Sequence, residues 1–151
     1  MALPYVTFHV GSVVEVAATE EGMLGAFHTA TGIEELTHFG FYRVRFDTLL
    51  TDDGQNFLEK LVLIGNFRPP PPTSPVQVTY RAGDHVDLWN REGWWYGIVQ
   101  RRRSCGDIII NFKMLGYNNH YVVHPEHFMR PHVHWTGRSW YRVPRGIIQI
   151  D

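Results

Sequence analysis

Phe27 and His28 open one strand-like segment, and Phe46 and Asp47 close another. If the segments between residues 13 and 47 pair in order, His28 and Phe46 meet near one end of a small barrel, with Asp47 beside them. Two rings and a carboxylate in one opening suit a methylated ammonium group. The rings attract it through their quadrupole and the carboxylate through its charge. The competing reading of Phe27 and Phe46 is ordinary core. Adjacent strand residues face opposite ways, so Phe27 can join His28 only if the strand start is irregular. Acids gather in the neighbouring turns, Glu20 and Glu21 before the second strand and Asp52 and Asp53 after the third. They could hold the other cations of a basic peptide, or be solvated loop charges.

The 151 residues, 44% of them hydrophobic, are enough for one core or two small ones. Net charge is -1 overall, but unevenly spread. Residues 1–72 hold four basic and nine acidic residues, whereas residues 73–151 hold ten and six. An acidic first half attracts a basic partner, and the basic second half could touch phosphate or an acidic surface. A single cysteine, Cys105, rules out an internal disulfide and fits a reducing compartment. No apolar run approaches a membrane span of ~18 residues. The first residues lack the pattern of a secretory signal, and no membrane partner is expected.

Apolar residues alternate in Val14-Glu15-Val16, Tyr42 to Phe46 and Val86-Asp87-Leu88, with Gly-containing breaks between. That period means short strands and an all-β chain. Arg68-Pro69-Pro70-Pro71-Pro72-Thr73-Ser74-Pro75 cannot join a sheet interior and reads as a stiff connector. Beyond it the pattern restarts. Gly83 to Leu88 echoes Gly11 to Val16, and Gly93 to Ile98 echoes Gly25 to Ala30. Phe112 echoes Phe46, and Phe128 to Pro131 echoes Asn66 to Pro69. Four echoes in one order predict an internal repeat. Its parts are a first unit over 5–70, a linker over 71–78 and a second unit over 79–143, the two units packed against each other.

With the repeat in view, the chain resembles the plant Agenet domain of the Tudor-like Royal group, as a tandem pair over residues 8–141. The first unit carries Gly-x-x-Val-Glu-Val, the Glu-Glu-Gly turn, Gly25 to Ala30, Phe46-Asp47 and Arg68-Pro69. The second carries Gly83-Asp84-x-Val-Asp87, Gly93-Trp94-Trp95-x-Gly97, Arg130-Pro131 and the late Trp135 and Trp140. The resemblance implies two small, strongly bent sheets of about five strands, each closed as a barrel. It also implies binding rather than catalysis. The implied partner is the methylated tail of histone three, its ninth residue the best-known mark, and the implied setting is the nucleus, among other chromatin-regulatory proteins. Carried over residue by residue, the cage is His28, Phe46 and Asp47, with Phe27 flanking. His28 stands where such cages usually have Tyr. A carboxylate in the cage favours a methylation state that keeps an N–H, so dimethyl-lysine is expected ahead of trimethyl.

The second unit has more rings, with Trp94, Trp95, Tyr96 and Phe112, but Lys113 holds the position of Asp47 and would repel a cation. The methyl-lysine is therefore assigned to the first unit. The Trp cluster is assigned to the inter-unit face or the peptide's path. An unperturbed imidazole titrates near ~6.5, and an imidazolium in the cage would repel the ligand, so binding is expected to strengthen as pH rises. The alternative function is nucleic-acid binding, with Arg101, Arg102 and Arg103 on phosphate and the Trp94–Tyr96 rings stacking on bases. The late histidines, His120, His124, His127, His132 and His134, come without cysteines, so no metal is expected. Ser104-Cys105 has no evident base. Neither an enzyme nor a cofactor is expected.

Overall fold

The computed structural model describes residues 8–19, 25–36, 40–72, 79–112, 120–123 and 128–142. The predicted peptide-binding acids Glu20 and Glu21 lie outside them, as do Lys113, His124 and His127. Among the described residues there is no α-helix. The first unit comprises β1 (Val13–Ala17), β2 (Ala26–Leu36), β3 (Phe41–Leu50), β4 (Phe57–Leu63) and β5 (Phe67–Arg68), with one 3-10 turn at Ile64–Asn66. The second comprises β6 (His85–Asn90), β7 (Gly93–Arg102), β8 (Ile108–Asn111), β9 (His120–Val123) and β10 (Met129–Pro131). A late hairpin, β11 (Val133–Trp135) and β12 (Trp140–Arg142), follows.

All pairings are antiparallel. The two units do more than pack together. Ala26 and Phe27 of β2 pair with Trp95 and Trp94 of β7, which joins β1–β10 into one 10-stranded sheet. Each half bends strongly without closing as a barrel. The bending has a local cause. β2 carries one extra residue between Gly32 and Glu34, and β7 carries one between Val99 and Arg101. Such bulges sharpen twist and turn a flat sheet over its own core.

Alternation fills two cores. Val14, Val16, Ala30, Tyr42, Val44, Phe46, Val62 and Phe67 form the first. Leu88, Trp95, Val99, Ile108, Ile110, Phe112 and Met129 belong to the second, together with Ala26, whose strand starts in one unit's core and continues into the other's.

The register corrects one detail of the sequence repeat. Val16 pairs with His28, and Leu88 pairs with Trp95. Ala17 pairs with Phe27, and Trp89 with Trp94. His28 is thus equivalent to Trp95 and Phe27 to Trp94, one residue out of step with an alignment on Gly25 and Gly93. The cause is the turn before each strand. β6 reaches β7 through Arg91-Glu92 alone, while β1 and β2 are joined by a longer loop.

Candidate functional site

The β3–β4 ladder breaks between the pairs Arg45–Glu59 and Leu50–Phe57. Several residues of β3 there face few of β4, and the strands part. A pocket of about 360 Å³ opens beside this gap. Its walls include His28, Phe46, Leu49 and Leu58, with Val16 to Thr19 on one side and Lys60 on β4. His28 and Phe46 meet edge to face, their ring centroids 6.2 Å apart and nearly perpendicular at 87°.

His28 is 3% exposed. Its Nδ1 lies 3.1 Å from the carbonyl oxygen of Glu92, in the β6–β7 turn of the other unit. The same oxygen accepts from Thr48 Oγ1 at 3.3 Å. Gly93 makes this approach feasible, since a Cβ there would lie 2.9 Å from His28 Cε1. Arg91 and Glu92 both hold positive φ, at 47° and 63°, as a tight hairpin turn demands. Neither is the Gly or Asn that such a turn prefers, so the carbonyl facing His28 is presented by a strained backbone.

The structure brings His28 and Phe46 together and leaves the other two predicted cage residues elsewhere. Asp47 is exposed and outside the pocket wall, where its Oδ1 accepts from Thr31 Oγ1 at 3.3 Å. Strand alternation that turns Phe46 inward turns Asp47 outward. Phe27 is separated from His28 in the same way. It lies under the guanidinium of Arg68, 3.6 Å from its ring centroid. Asp52 and Asp53 are exposed in the β3–β4 turn. Hydrogen bonds from the Thr51 hydroxyl and the Gln55 amide hold the Asp53 carboxyl below its ordinary range.

Trp94, Trp95 and Tyr96 divide by the same alternation. Trp95 is buried in the second core, and its indole N–H donates to the Asn90 carbonyl at 2.7 Å. Trp94 is half-buried at the inter-unit face, with the Arg130 guanidinium 4.1 Å above its ring. Tyr96 stacks on His132 at 3.8 Å and hydrogen-bonds to His85. Arg101, Arg102 and Arg103 are exposed at the far end of β7, on the order of 25 Å from Trp94 at the rise of an extended strand. Arg102 donates to the Tyr80 carbonyl. Among the described residues no group of His, Cys, Asp and Glu is arranged to hold a metal.

Sequence reasoning missed the ionic junction between the units. Glu15 of β1 accepts from Arg68 Nη2 at 2.9 Å and from Arg130 Nη1 at 2.7 Å. Asp87 of β6 accepts from Arg130 Nε at 2.9 Å, and its other oxygen lies 2.7 Å from His132 Nδ1. Glu15 and Asp87 are 3% and 0% exposed. Burial pushes the Asp87 carboxyl up, but His132 and Arg130 outweigh it and hold the group below its ordinary range. Burial alone would lower the Arg130 guanidinium, but the hydrogen bonds it donates to Glu15, and the Glu15 charge, raise it. The available signal was the twice-repeated pairing of a strand acid with a later Arg-Pro, at Glu15 with Arg68 and at Asp87 with Arg130.

The fold defines a class: an all-β tandem of Tudor-like bent sheets. Residues 11–72 match the Agenet domain. Over these residues the chain belongs to the Agenet family, and as a whole it has the fold of a tandem Agenet pair. It is 30% identical over 139 residues to DUF724 domain-containing protein 6 of Arabidopsis thaliana, covering 90% of this chain and 19% of that protein. It is 28% identical over 133 residues to Protein AGENET DOMAIN (AGD)-CONTAINING P1 of the same plant, covering 88% of this chain and 25% of that protein. The chain thus spans a quarter or less of the length of these relatives. Among solved structures, AGD34 of Arabidopsis thaliana AGDP1 superposes with a TM-score of 0.80 at 26% identity, covering 90% of each chain. Tandem Agenet domain 3-4 of ADCP1 shares the fold with a TM-score of 0.77 at 24% identity, covering 90% of this chain and 88% of that one.

Proposed function

We propose that the chain is a chromatin reader that takes a methylated lysine of the histone three tail into the pocket of the first unit. The supporting observation is the His28–Phe46 pair, two rings set at right angles on the wall of a pocket of about 360 Å³. A methylammonium group carries its charge on a surface of methyl groups, so it gains from apolar walls and from ring faces together. Dimethyl-lysine at the ninth position is the preferred mark, on the family resemblance, and the setting is the nucleus among other chromatin-regulatory proteins. The acids of the first unit, with Asp52 and Asp53 at the exposed turn, draw the rest of the basic tail.

Binding strengthens as pH rises through about 6–8, because protonating His28 places a second positive charge against the bound ammonium. The test is calorimetric titration of histone-three tail peptides, unmodified and dimethylated at the ninth position, at pH 6 and pH 8. Methyl-dependent binding that is stronger at pH 8 is expected. Methyl-dependent binding without a pH effect removes His28 from the ligand's contacts. The second reading is nucleic-acid binding through the exposed Arg101, Arg102 and Arg103. Salt-dependent binding of RNA or DNA, with no response to methylation, would favour it.

A further inference from the structure

The Glu92 carbonyl can only accept hydrogen bonds, so the nitrogen facing it must donate. His28 Nδ1 sits 3.1 Å from that oxygen. A neutral His28 is therefore the Nδ1–H tautomer, and its proton-free nitrogen is Nε2. Nε2 is buried and has no hydrogen-bond partner among the described residues. The Nδ1–Cε1 side of the ring is pressed against Gly93, and His28 is one of the residues that form the pocket wall. A buried acceptor left unpaired at a pocket wall costs free energy until a donor reaches it.

We infer that His28 Nε2 is the hydrogen-bond acceptor that selects the methylation state of the ligand, admitting mono- and dimethylammonium, which keep an N–H, and disfavouring trimethylammonium, which has none. This rests on the methyl-lysine reading of the same pocket. Asp47 cannot fill the role, because it lies outside the pocket wall. Glu92 acts as a positioning residue: its carbonyl, shared with Thr48 Oγ1, fixes the tautomer. The second unit thereby completes the site of the first.

Two measurements on the whole chain test this. In a long-range 1H–15N spectrum at pH 8, His28 should show the Nδ1–H tautomer, the less common form in free histidine. The Nε2–H tautomer would overturn the inference. In titrations with tail peptides bearing unmodified, dimethylated or trimethylated lysine, the dimethyl form should bind about tenfold more tightly than the trimethyl, the worth of one hydrogen bond from a charged donor. His28→Phe, which keeps a ring and removes the acceptor, should bring that ratio close to one. His28→Gln, which restores an acceptor, should recover part of it. Equal binding of both methylated forms by the native chain overturns the inference while leaving the methyl-lysine reading in place. Neither form binding better than the unmodified peptide removes that reading, and the inference with it. If His28→Phe fails to fold, the tautomer and the native dimethyl-to-trimethyl ratio decide.

Discussion

The two units are built on one plan and differ at the position that matters. Each sets a strand acid against an Arg-Pro arginine, and each arginine lies over the ring at the equivalent place, Arg68 over Phe27 and Arg130 over Trp94. Each has its bulge at the same step of the sheet. At the next position inward, the first unit has His28 and the second has Trp95. The indole fills its core and satisfies its single N–H on Asn90 within its own unit. The smaller imidazole spends one nitrogen on the other unit's turn and keeps one unpaired beside a pocket. Shared plan gives the shared fold, and on the proposed reading the exchange of His28 for Trp95, in ring size and hydrogen-bonding capacity, is what sets a binding unit apart from a packing one.

The shared part of the plan can be broken first, with the largest effect. Glu15→Ala leaves two guanidinium groups short of their main carboxylate, Arg68 being 4% exposed. Removing one partner of a buried charge network costs about 3–5 kcal/mol. Asp87→Ala should cost a similar amount, since Arg130 and His132 both turn on it. Urea unfolding of the whole chain measures both. A loss below about 1 kcal/mol for either would mean that water replaces the network freely.

Exchanging the differing residues should separate stability from binding. Trp95→Ala should cost about 3 kcal/mol or more in unfolding free energy by opening a core cavity, with methyl-peptide affinity nearly kept. His28→Trp places an indole against Gly93 and across the pocket, and should cut that affinity by about 30-fold or more, on the order of 2 kcal/mol. Equal effects of the two changes on binding would erase the distinction between the units.

Acid sharpens the same contrast. Burial and the neighbouring His132 hold both His85 and His134 below the ordinary histidine range. A group whose folded value is depressed binds protons more readily unfolded, so its contribution is present above the unfolded value of about 6.5 and is lost as pH falls below it. Asp87, also depressed, adds a further loss at lower pH, as its carboxylate protonates. Melting temperature should therefore drop by a few degrees between pH 7.5 and pH 5.5. The pH response proposed for peptide binding should persist in His134→Phe while the stability response shrinks.

Much of this arrangement could be read from the chain. Alternation in Val14 to Val16 and in Tyr42 to Phe46 reports which residues face a core, and the repeated Arg-Pro marks the end of each unit. The meeting of His28 and Phe46 follows from pairing consecutive strands. Three features depend on information that sequence alone does not carry. The one-residue offset between His28 and Trp95 depends on turn length, which no alignment of glycines reveals. The strand exchange at Phe27 and Trp94 is a long-range pairing. The parting of β3 and β4 between Arg45 and Leu50, beside which the pocket opens, is a register irregularity that no residue pattern announces.

The smallest expected effects concern charge around that pocket. Lys60 lines it from β4 and is exposed to solvent. Its ammonium repels a bound cation across screened water, so Lys60→Ala should raise affinity for the methylated peptide about two- to fivefold at low salt and less at high salt. Asp47 bears the opposite charge, yet it stands on the outer face, held by Thr31. Its attraction reaches the ligand only through solvent, where exposed pairs are worth little. Asp47→Asn should therefore lower affinity by less than about twofold, with the dimethyl-to-trimethyl ratio unchanged. A loss of tenfold or more, together with that ratio, would transfer the acceptor role from the imidazole to the carboxylate and require β3 to turn Asp47 inward on binding.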